Sequence, residues 1–237
     1  MPARASRGCS EATLRAVRVA VVVAGLAGRA GAHADRYEAA FVVRPVGAVG
    51  RVAEPVGMGG STGAPVVASI YGGGLAAGLS YGLRDWLDVG AELEAAGFTR
   101  ATYDSASVMI ENNPFMGRVE RTTRAAQLRF GATLRLGVAW VPTLSLGLGL
   151  GARQRTAATL RFDDQRVLLL TPDDMGASMS VDLLTAARVG LEHRLDRRWT
   201  IGVAAGAGHA LGLGAPSLDI LSMNLSLAYT WYPAFAP

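Results

Sequence analysis

The sequence predicts an all-β chain, an antiparallel up-and-down transmembrane β-barrel of eight strands. Ten strands result if one long connection adds a hairpin. Period-two alternation of apolar with small or polar residues runs through most of the chain and is clearest over residues 124–153. There Ala126, Leu128, Phe130, Ala132, Leu134, Leu136 and Val138 oppose Gln127, Arg129, Gly131, Thr133, Arg135 and Gly137. After a reversal at Val141-Pro142, Leu144, Leu146, Leu148 and Leu150 oppose Ser145, Gly147, Gly149 and Gly151. This is the signature of two strands, each with one greasy face. The connections alternate long and short along the chain, and the tryptophans gather at the short ones.

Residues 1–34 read as an export signal. Arginines up to Arg18 form a positive region, residues 19–28 (VAVVVAGLAG) an apolar run, and Ala32-His33-Ala34 a small-residue cleavage site. The run is too short to span a membrane as a helix, which needs roughly 20 apolar residues. Residues 35–237 form the barrel domain. The chain has 237 residues and a pI near 9.7, but the signal holds five arginines against Glu11. Removing five and one from the 23 basic and 19 acidic residues leaves 18 of each sign, so the rest of the chain is neutral. That balance gives no case for nucleic-acid binding. Cys9 is the only cysteine and precedes the apolar run, so the exported chain has neither disulfides nor thiolate ligands.

The first strand sets Tyr37, Ala39, Phe41 and Val43 against Arg36, Glu38, Ala40 and Val42 and is expected to end at Pro45. Residues 45–65, rich in Gly and Pro, read as a long loop. The second strand spans residues 66–83, with Leu75, Ala77, Leu79, Tyr81 and Leu83 on one face, and turns at Arg84-Asp85-Trp86. The third sets Leu87, Val89, Ala91, Leu93 and Ala95 against Asp88, Gly90, Glu92 and Glu94. Residues 98–122 read as a polar loop, and the hairpin of residues 124–153 supplies strands four and five. A third long connection follows at residues 154–178. Within it, residues 158–162 and 167–170 either lengthen the strands or form the extra hairpin. Strand six alternates Val181, Leu183, Ala187, Val189 and Leu191 with Asp182, Ala186, Arg188, Gly190 and Glu192, and turns at Asp196-Arg197-Arg198. Strand seven carries Ile201, Val203, Ala205 and Ala207. A short loop at residues 212–217 leads to strand eight, with Leu221, Met223, Leu225, Leu227, Tyr229 and Trp231.

Trp86, Trp140 and Trp199 sit at the three short turns and Trp231 at the end of the last strand, with Tyr81 and Tyr229 nearby. They are expected to form one interfacial girdle, because their rings are apolar and their polar hydrogens seek water. Short turns at one end and longer loops at the other are the habit of bacterial outer-membrane barrels. Past the signal no run of 18 apolar residues offers a helical alternative. A sheet embedded in lipid must then close, since an open edge would leave backbone groups unpaired.

The segments GLSYGLRDWLDVGAEL (residues 78–93) and VGLEHRLDRRWTIGV (residues 189–203) resemble the turn-end hairpins of small bacterial outer-membrane β-barrel proteins of the OmpA, OmpX and OmpW type. The resemblance covers most of residues 36–232. It implies the outer membrane of a Gram-negative bacterium, outer-membrane lipid and lipopolysaccharide as surroundings, and the barrel-assembly machinery as a partner during biogenesis. A monomer is expected, and envelope integrity, adhesion or docking of an extracellular partner by the long loops are its expected roles, with the loop ligand open. The last strand is similar to the family's assembly signal, but the chain continues past Trp231 and Tyr232 to Phe235, Ala236 and Pro237.

If the leucine face meets lipid, the other face fills the lumen with Glu92, Glu94, Arg129, Arg135, Asp182, Arg188 and Glu192, expected to pair as a structural plug. Gly147, Gly149 and Gly151 leave room there for long arginine side chains. No catalytic, cofactor-binding or metal-binding residue is assigned. His209, Ser217 and Asp219 are the right types for a hydrolase triad, but their spacing matches no barrel-enzyme motif, and His193 reads as a solvated rim residue. The pairs Asp163-Asp164 and Asp173-Asp174 read as a solvated acidic loop, with weak Ca²⁺ binding as the alternative. The expected role is structural or surface-interacting. The alternatives are a narrow channel or conduit for small hydrophobic solutes, a lipid-modifying enzyme, and a secreted soluble barrel with its faces reversed.

Overall fold

The structure is a computed structural model and describes residues 37–54, 66–110, 113–137, 140–170, 177–213 and 215–233. The expected export signal, Asp173-Asp174 and the last four residues lie outside the described residues. The strands are β1 (Ala39–Glu54), β2 (Val66–Arg84), β3 (Leu87–Phe98), β4 (Ala101–Ile110), β5 (Asn113–Arg121) and β6 (Thr123–Arg135). They continue with β7 (Trp140–Arg155), β8 (Thr159–Arg161), β9 (Val167–Leu169), β10 (Ser178–Arg194), β11 (Trp199–Leu213) and β12 (Leu218–Trp231). Eight strands close a barrel in the order β1-β12-β11-β10-β7-β6-β3-β2, and the other four form a separate sheet, β4-β5-β8-β9.

Antiparallel pairing runs round the whole barrel. From Phe41 on β1 the register passes through Leu79, Ala91, Phe130, Leu148, Thr185, His209 and Asp219, and returns to β1 at Arg51. The ladder has therefore slipped ten residues in one circuit, from position 41 to position 51. With eight strands, that stagger sets a tilt of about 41° and a radius of about 8 Å, so each residue climbs about 2.5 Å along the axis. The register is held by the pattern itself, because a slip of one residue would turn every leucine inward and every charge outward.

The faces are disposed for lipid. Leu79, Leu146, Leu148, Leu221, Met223 and Leu225 point outward and are each 58–66% exposed, while Asp88, Glu92, Glu94 and Asp182 are buried inside. A soluble protein does not present a continuous belt of this kind to water. The leucine belt outside, charges inside, short turns at one end and long excursions at the other make this an outer-membrane-type barrel. The reversed, soluble arrangement is excluded by the same inward-facing charges.

Several elements differ from the sequence expectation. β1 does not stop at Pro45 but runs to Glu54, with Pro45 paired to Leu75 of β2. Pro45 has no N–H to donate, and the β1–β12 ladder skips the rungs at Arg44 and Pro45 without losing register. The reversal expected at Val141-Pro142 comes earlier, between Arg135 at the end of β6 and Trp140 at the start of β7, and Leu136 donates its N–H to the Pro142 carbonyl at 3.0 Å. Gly137 takes φ +126° there, a conformation open to glycine, and a Cβ would also meet the Trp140 carbonyl at 2.7 Å. Residues 98–122 are not a polar loop: β4 and β5 pair as a hairpin. β8 and β9 do form a hairpin, but it joins β5 in the separate sheet, so the barrel has eight strands and not ten.

The turn ends carry the aromatic residues. Trp86, Trp140, Trp199 and Trp231 are each 37–60% exposed. The barrel geometry puts the last three at one axial height to within about 2 Å. Trp199 meets Tyr229 edge-on at 5.1 Å, and Tyr229 stacks on Trp231 at 6.3 Å. At the loop end an apolar cluster fills the interior beside the buried Arg153 and Asp182. Ile70, Phe98, Leu184 and Leu218 from the barrel pack with Tyr103, Val108, Val119 and Leu160 from the outer sheet, all buried.

Candidate functional site: a layered lumen

Each inward charge is placed by strand parity, and the stagger of the strands then sorts the charges by height. Nearest the turns, Arg194 pairs with Glu38 at 2.6 Å. One layer further in, Arg135 pairs with Asp88 and, at 3.0 Å, with Glu192. The middle layer is the densest. Glu92 receives Arg44, Arg129 at 2.8 Å and Arg188 at 2.6 Å, while Glu94 receives Arg129 and, at 3.7 Å, Arg188. Near the loop end Arg153, 1% exposed, donates to Asp182 at 2.8 Å and to the Pro216 carbonyl at 2.6 Å. That contact ties the β11–β12 loop down onto the lumen.

Local sequence makes room for these side chains. Glu92 faces Arg129 directly across β3 and β6. Arg188 lies beside Gly206 of β11, where a Cβ would come within 2.7 Å of the Arg188 Cγ. A charge of either sign alone in this interior would be costly, so the arrangement is stable only as paired layers.

The seven lumen residues expected from sequence therefore fall into three clusters. Glu92, Glu94, Arg129 and Arg188 converge, Arg135 and Glu192 meet below them, and Asp182 stands apart with Arg153. Sequence reasoning missed Arg44, Asp88 and Arg153 as partners. Arg44 shares the parity of Ala40 and Val42, a signal obscured by ending the strand at Pro45, and Asp88 shares that of Glu92. The free space is small. A cavity of about 40 Å³, touching Thr133, Ser145, Asn224 and Ser226, lies between the lower and middle layers. Another of about 20 Å³ lies above, beside Glu94 and Leu184, and one of about 90 Å³ lies among Arg44, Glu92, Arg129 and Arg188. Such volumes hold a few waters at most and are far below the roughly 300–1,000 Å³ of a small-molecule site.

Outside the lumen, His209 Nδ1 and Asp219 Oδ1 are 2.6 Å apart on the lipid-facing wall, both exposed. Among the described residues Ser217 makes no hydrogen bond to either, so no triad is assembled. His193 is stacked on Trp140 at 4.4 Å at the turn-end rim. Among the described residues no group of three His, Cys, Asp or Glu side chains could hold a metal ion. Asp164 instead accepts from Arg166, at 3.1 Å from its backbone N–H and 2.6 Å from Nε, and those hydrogen bonds hold its carboxyl below the usual range.

Asp196 organises the β10–β11 turn. Its carboxylate accepts the backbone N–H of Arg198 at 2.6 Å and of Trp199 at 2.7 Å, and these bonds hold its pKa below the ordinary carboxylate value. A depressed folded pKa contributes stability that is complete above the unfolded value, near about 4, and is lost as pH falls through the folded one. Asp196→Asn is therefore expected to show a constant stability deficit above about pH 4 that shrinks at lower pH. Urea unfolding followed by tryptophan fluorescence at pH 6 down to 2.5 measures it, and a deficit unchanged over that range would rule out the carboxylate as its source.

No family model matches the sequence, and no curated protein does. Among solved structures the chain is similar to Ail, the attachment invasion locus protein of Yersinia pestis, in complex with the heparin analogue sucrose octasulfate. Identity is 11%, over 83% of this chain and 99% of that one, with a TM-score of 0.44. It is similar to the outer membrane protein OprG from Pseudomonas aeruginosa at 14% identity, over 84% and 98% of the two chains, with a TM-score of 0.43. It is also similar to the outer membrane protease OmpT from Escherichia coli at 8% identity, over 86% and 100%, with a TM-score of 0.40.

Proposed function

We propose that this eight-stranded barrel is a non-conducting surface-interaction protein of a Gram-negative outer membrane, anchored by its plugged lumen and working through the sheet it raises at the loop end. The observation that carries this reading is the β4-β5-β8-β9 sheet. It is built outside the barrel, its inner side packs into the barrel mouth, and its outer parts expose Met116, Val167 and Leu169 at 54–68%. Lipid belts do not extend onto strands of this kind, so the exposed apolar groups are available to an extracellular partner. The lumen supports the same reading from below, because charge layers and an apolar mouth leave only small cavities. In this reading the surrounding lipid, including lipopolysaccharide, and the barrel-assembly machinery are its other partners, and the barrel works as a monomer without catalysis.

The competing reading is a narrow channel or a conduit for small hydrophobic solutes. Planar-bilayer recording separates the two. The purified barrel, shown to be closed by a mobility shift on boiling in SDS, is expected to give no sustained conductance steps at 100 mV in 1 M KCl on the order of many minutes, as befits an eight-stranded barrel filled by side chains. Regular steps would displace the proposal in favour of the channel.

A further inference from the structure

We infer that the lumen holds a small monovalent anion, of the size of chloride, in the closed cavity between the lower and middle charge layers. The site is independent of what the loop-end sheet binds. Three observations converge on it.

The first is the charged part of the lining. Arg44, Arg135 and Arg188 border the cavity of about 40 Å³ against a single carboxylate, Glu192, among the described residues. Asp88, Glu92 and Glu94, which also pair with these arginines, do not line it. The neighbouring cavity of about 90 Å³ has both Asp88 and Glu92 in its wall beside three arginines, so its excess of cations is smaller. A guanidinium carries five N–H donors. Arg44 gives one bond, to Glu92, and Arg135 gives Nε to Glu192 and Nη1 to Asp88, so donors remain for a guest.

The second is the neutral part. Ser80, Thr133, Thr143, Ser145 and Ser226 bring hydroxyls to the same wall. Thr133 and Ser145 share one hydrogen bond at 2.9 Å, which leaves one of their two hydroxyl hydrogens for the cavity. Thr143 owes its place to a glycine, since a Cβ at Gly190 would come within 2.8 Å of the Thr143 Oγ1.

The third is Asn224. It lines the cavity, is 5% exposed, and its Oδ1 accepts no hydrogen bond among the described residues. A buried acceptor without a donor is costly. Turning the amide over exchanges that acceptor for an N–H pair, and an anion then satisfies it together with the arginines and hydroxyls.

Size and charge select the guest. One water needs roughly 10–15 Å³ of such space, and a halide is only slightly larger than water, so the cavity admits the ion and no organic anion. As a set the two layers are neutral, with Arg44, Arg129, Arg135 and Arg188 against Asp88, Glu92, Glu94 and Glu192. The attraction therefore comes from oriented donors and not from net charge, which favours a monovalent ion over sulfate or phosphate. The layers above and below close the cavity, so the ion is held and not conducted.

The test uses the whole exported chain, refolded in detergent with sodium bromide as the probe and crystallised for anomalous diffraction at the bromine edge. One bromide is expected in the cavity, between Ser145 and Asn224. Asn224→Asp keeps the shape but places a carboxylate there, and is expected to abolish that peak. Urea unfolding in a fixed detergent, with chloride against gluconate at equal ionic strength, gives a second readout. The wild-type midpoint is expected to rise with chloride as the site fills. Asn224→Asp is expected to lose that rise, and Thr143→Val, which removes one hydroxyl without changing shape, to need about tenfold more chloride for it. A cavity without bromide would overturn the site and leave water as its occupant, as would an adventitious ion only, with bromide confined to the outer surface. An equal chloride effect in wild type and both variants would also overturn it, because a general salt effect does not depend on these two residues. Each protein is checked for closure by its mobility shift on boiling, and if Asn224→Asp fails to close, Thr143→Val decides the same comparison.

Discussion

Glu92→Gln is expected to destabilise the barrel by about 3–5 kcal/mol, the cost of breaking a buried charge pair by removing one partner. Glu92 is the hub of the middle layer. It is 9% exposed and receives Arg44, Arg129 and Arg188, and only Glu94 would remain to share two of those three arginines. Glutamine preserves the shape and some hydrogen bonding, so the loss is chiefly electrostatic. Glu94→Gln should cost less, because Arg129 and Arg188 both keep Glu92. Urea unfolding in a fixed detergent or vesicle, followed by tryptophan fluorescence, measures both. A loss under about 1 kcal/mol for Glu92→Gln, as at an exposed pair, would mean that the lumen is wet enough to screen the layer.

Leu225→Arg is expected to cost about 2–4 kcal/mol in a bilayer, the penalty for an arginine on the lipid face near the midplane of an outer-membrane barrel. Leu225 is 62% exposed and lies six residues along β12 from Trp231 and six from Asp219, halfway between the two rims. The same change on a water-facing surface would fall within about 0.5 kcal/mol of neutral. The prediction therefore tests the orientation of the whole sheet. A neutral Leu225→Arg in vesicles would mean that the leucine belt does not meet lipid. The barrel's other face makes the complementary point, since Glu92 is tolerated there only because arginines from three strands reach it.

Not all of the chain was equally legible. Within the membrane the two faces of each strand meet different solvents, so alternation is enforced and β2, β3, β6, β7 and β10–β12 were readable from it. Beyond the membrane that constraint ends. β4 and β5 are ordinary strands, but their residues include Asp104, Asn113, Arg118 and Glu120, and a polar stretch of this kind reads as a loop. Pro45 misled for a related reason. A proline normally ends a ladder, yet in a closed barrel the neighbouring rungs on β2 and β12 hold the strand in place across one missing donor.

The site was partly legible in the same way. Parity alone put Glu92, Glu94, Arg129, Arg135, Asp182, Arg188 and Glu192 on one face. It could not say which of them meet, because partners such as Glu92 and Arg188 lie 96 positions apart and on strands that are not neighbours. The same gap hid the cavity of Arg44, Arg135, Arg188 and Asn224, whose members come from four strands.

The sequence by itself thus determined the strand pattern, the number of barrel strands as first choice, the short-turn end with its tryptophans, and the two sets of residues that share a face. Those are local properties, written in period two and in turn composition. Which face is inside, the ten-residue stagger, the sorting of charges into layers and the separate sheet at the mouth were decided by the tertiary structure. Closure is the physical reason. Joining β1 to β12 fixes one tilt and one radius for the whole sheet, and only then does each side chain acquire a height, an opposite wall and a partner.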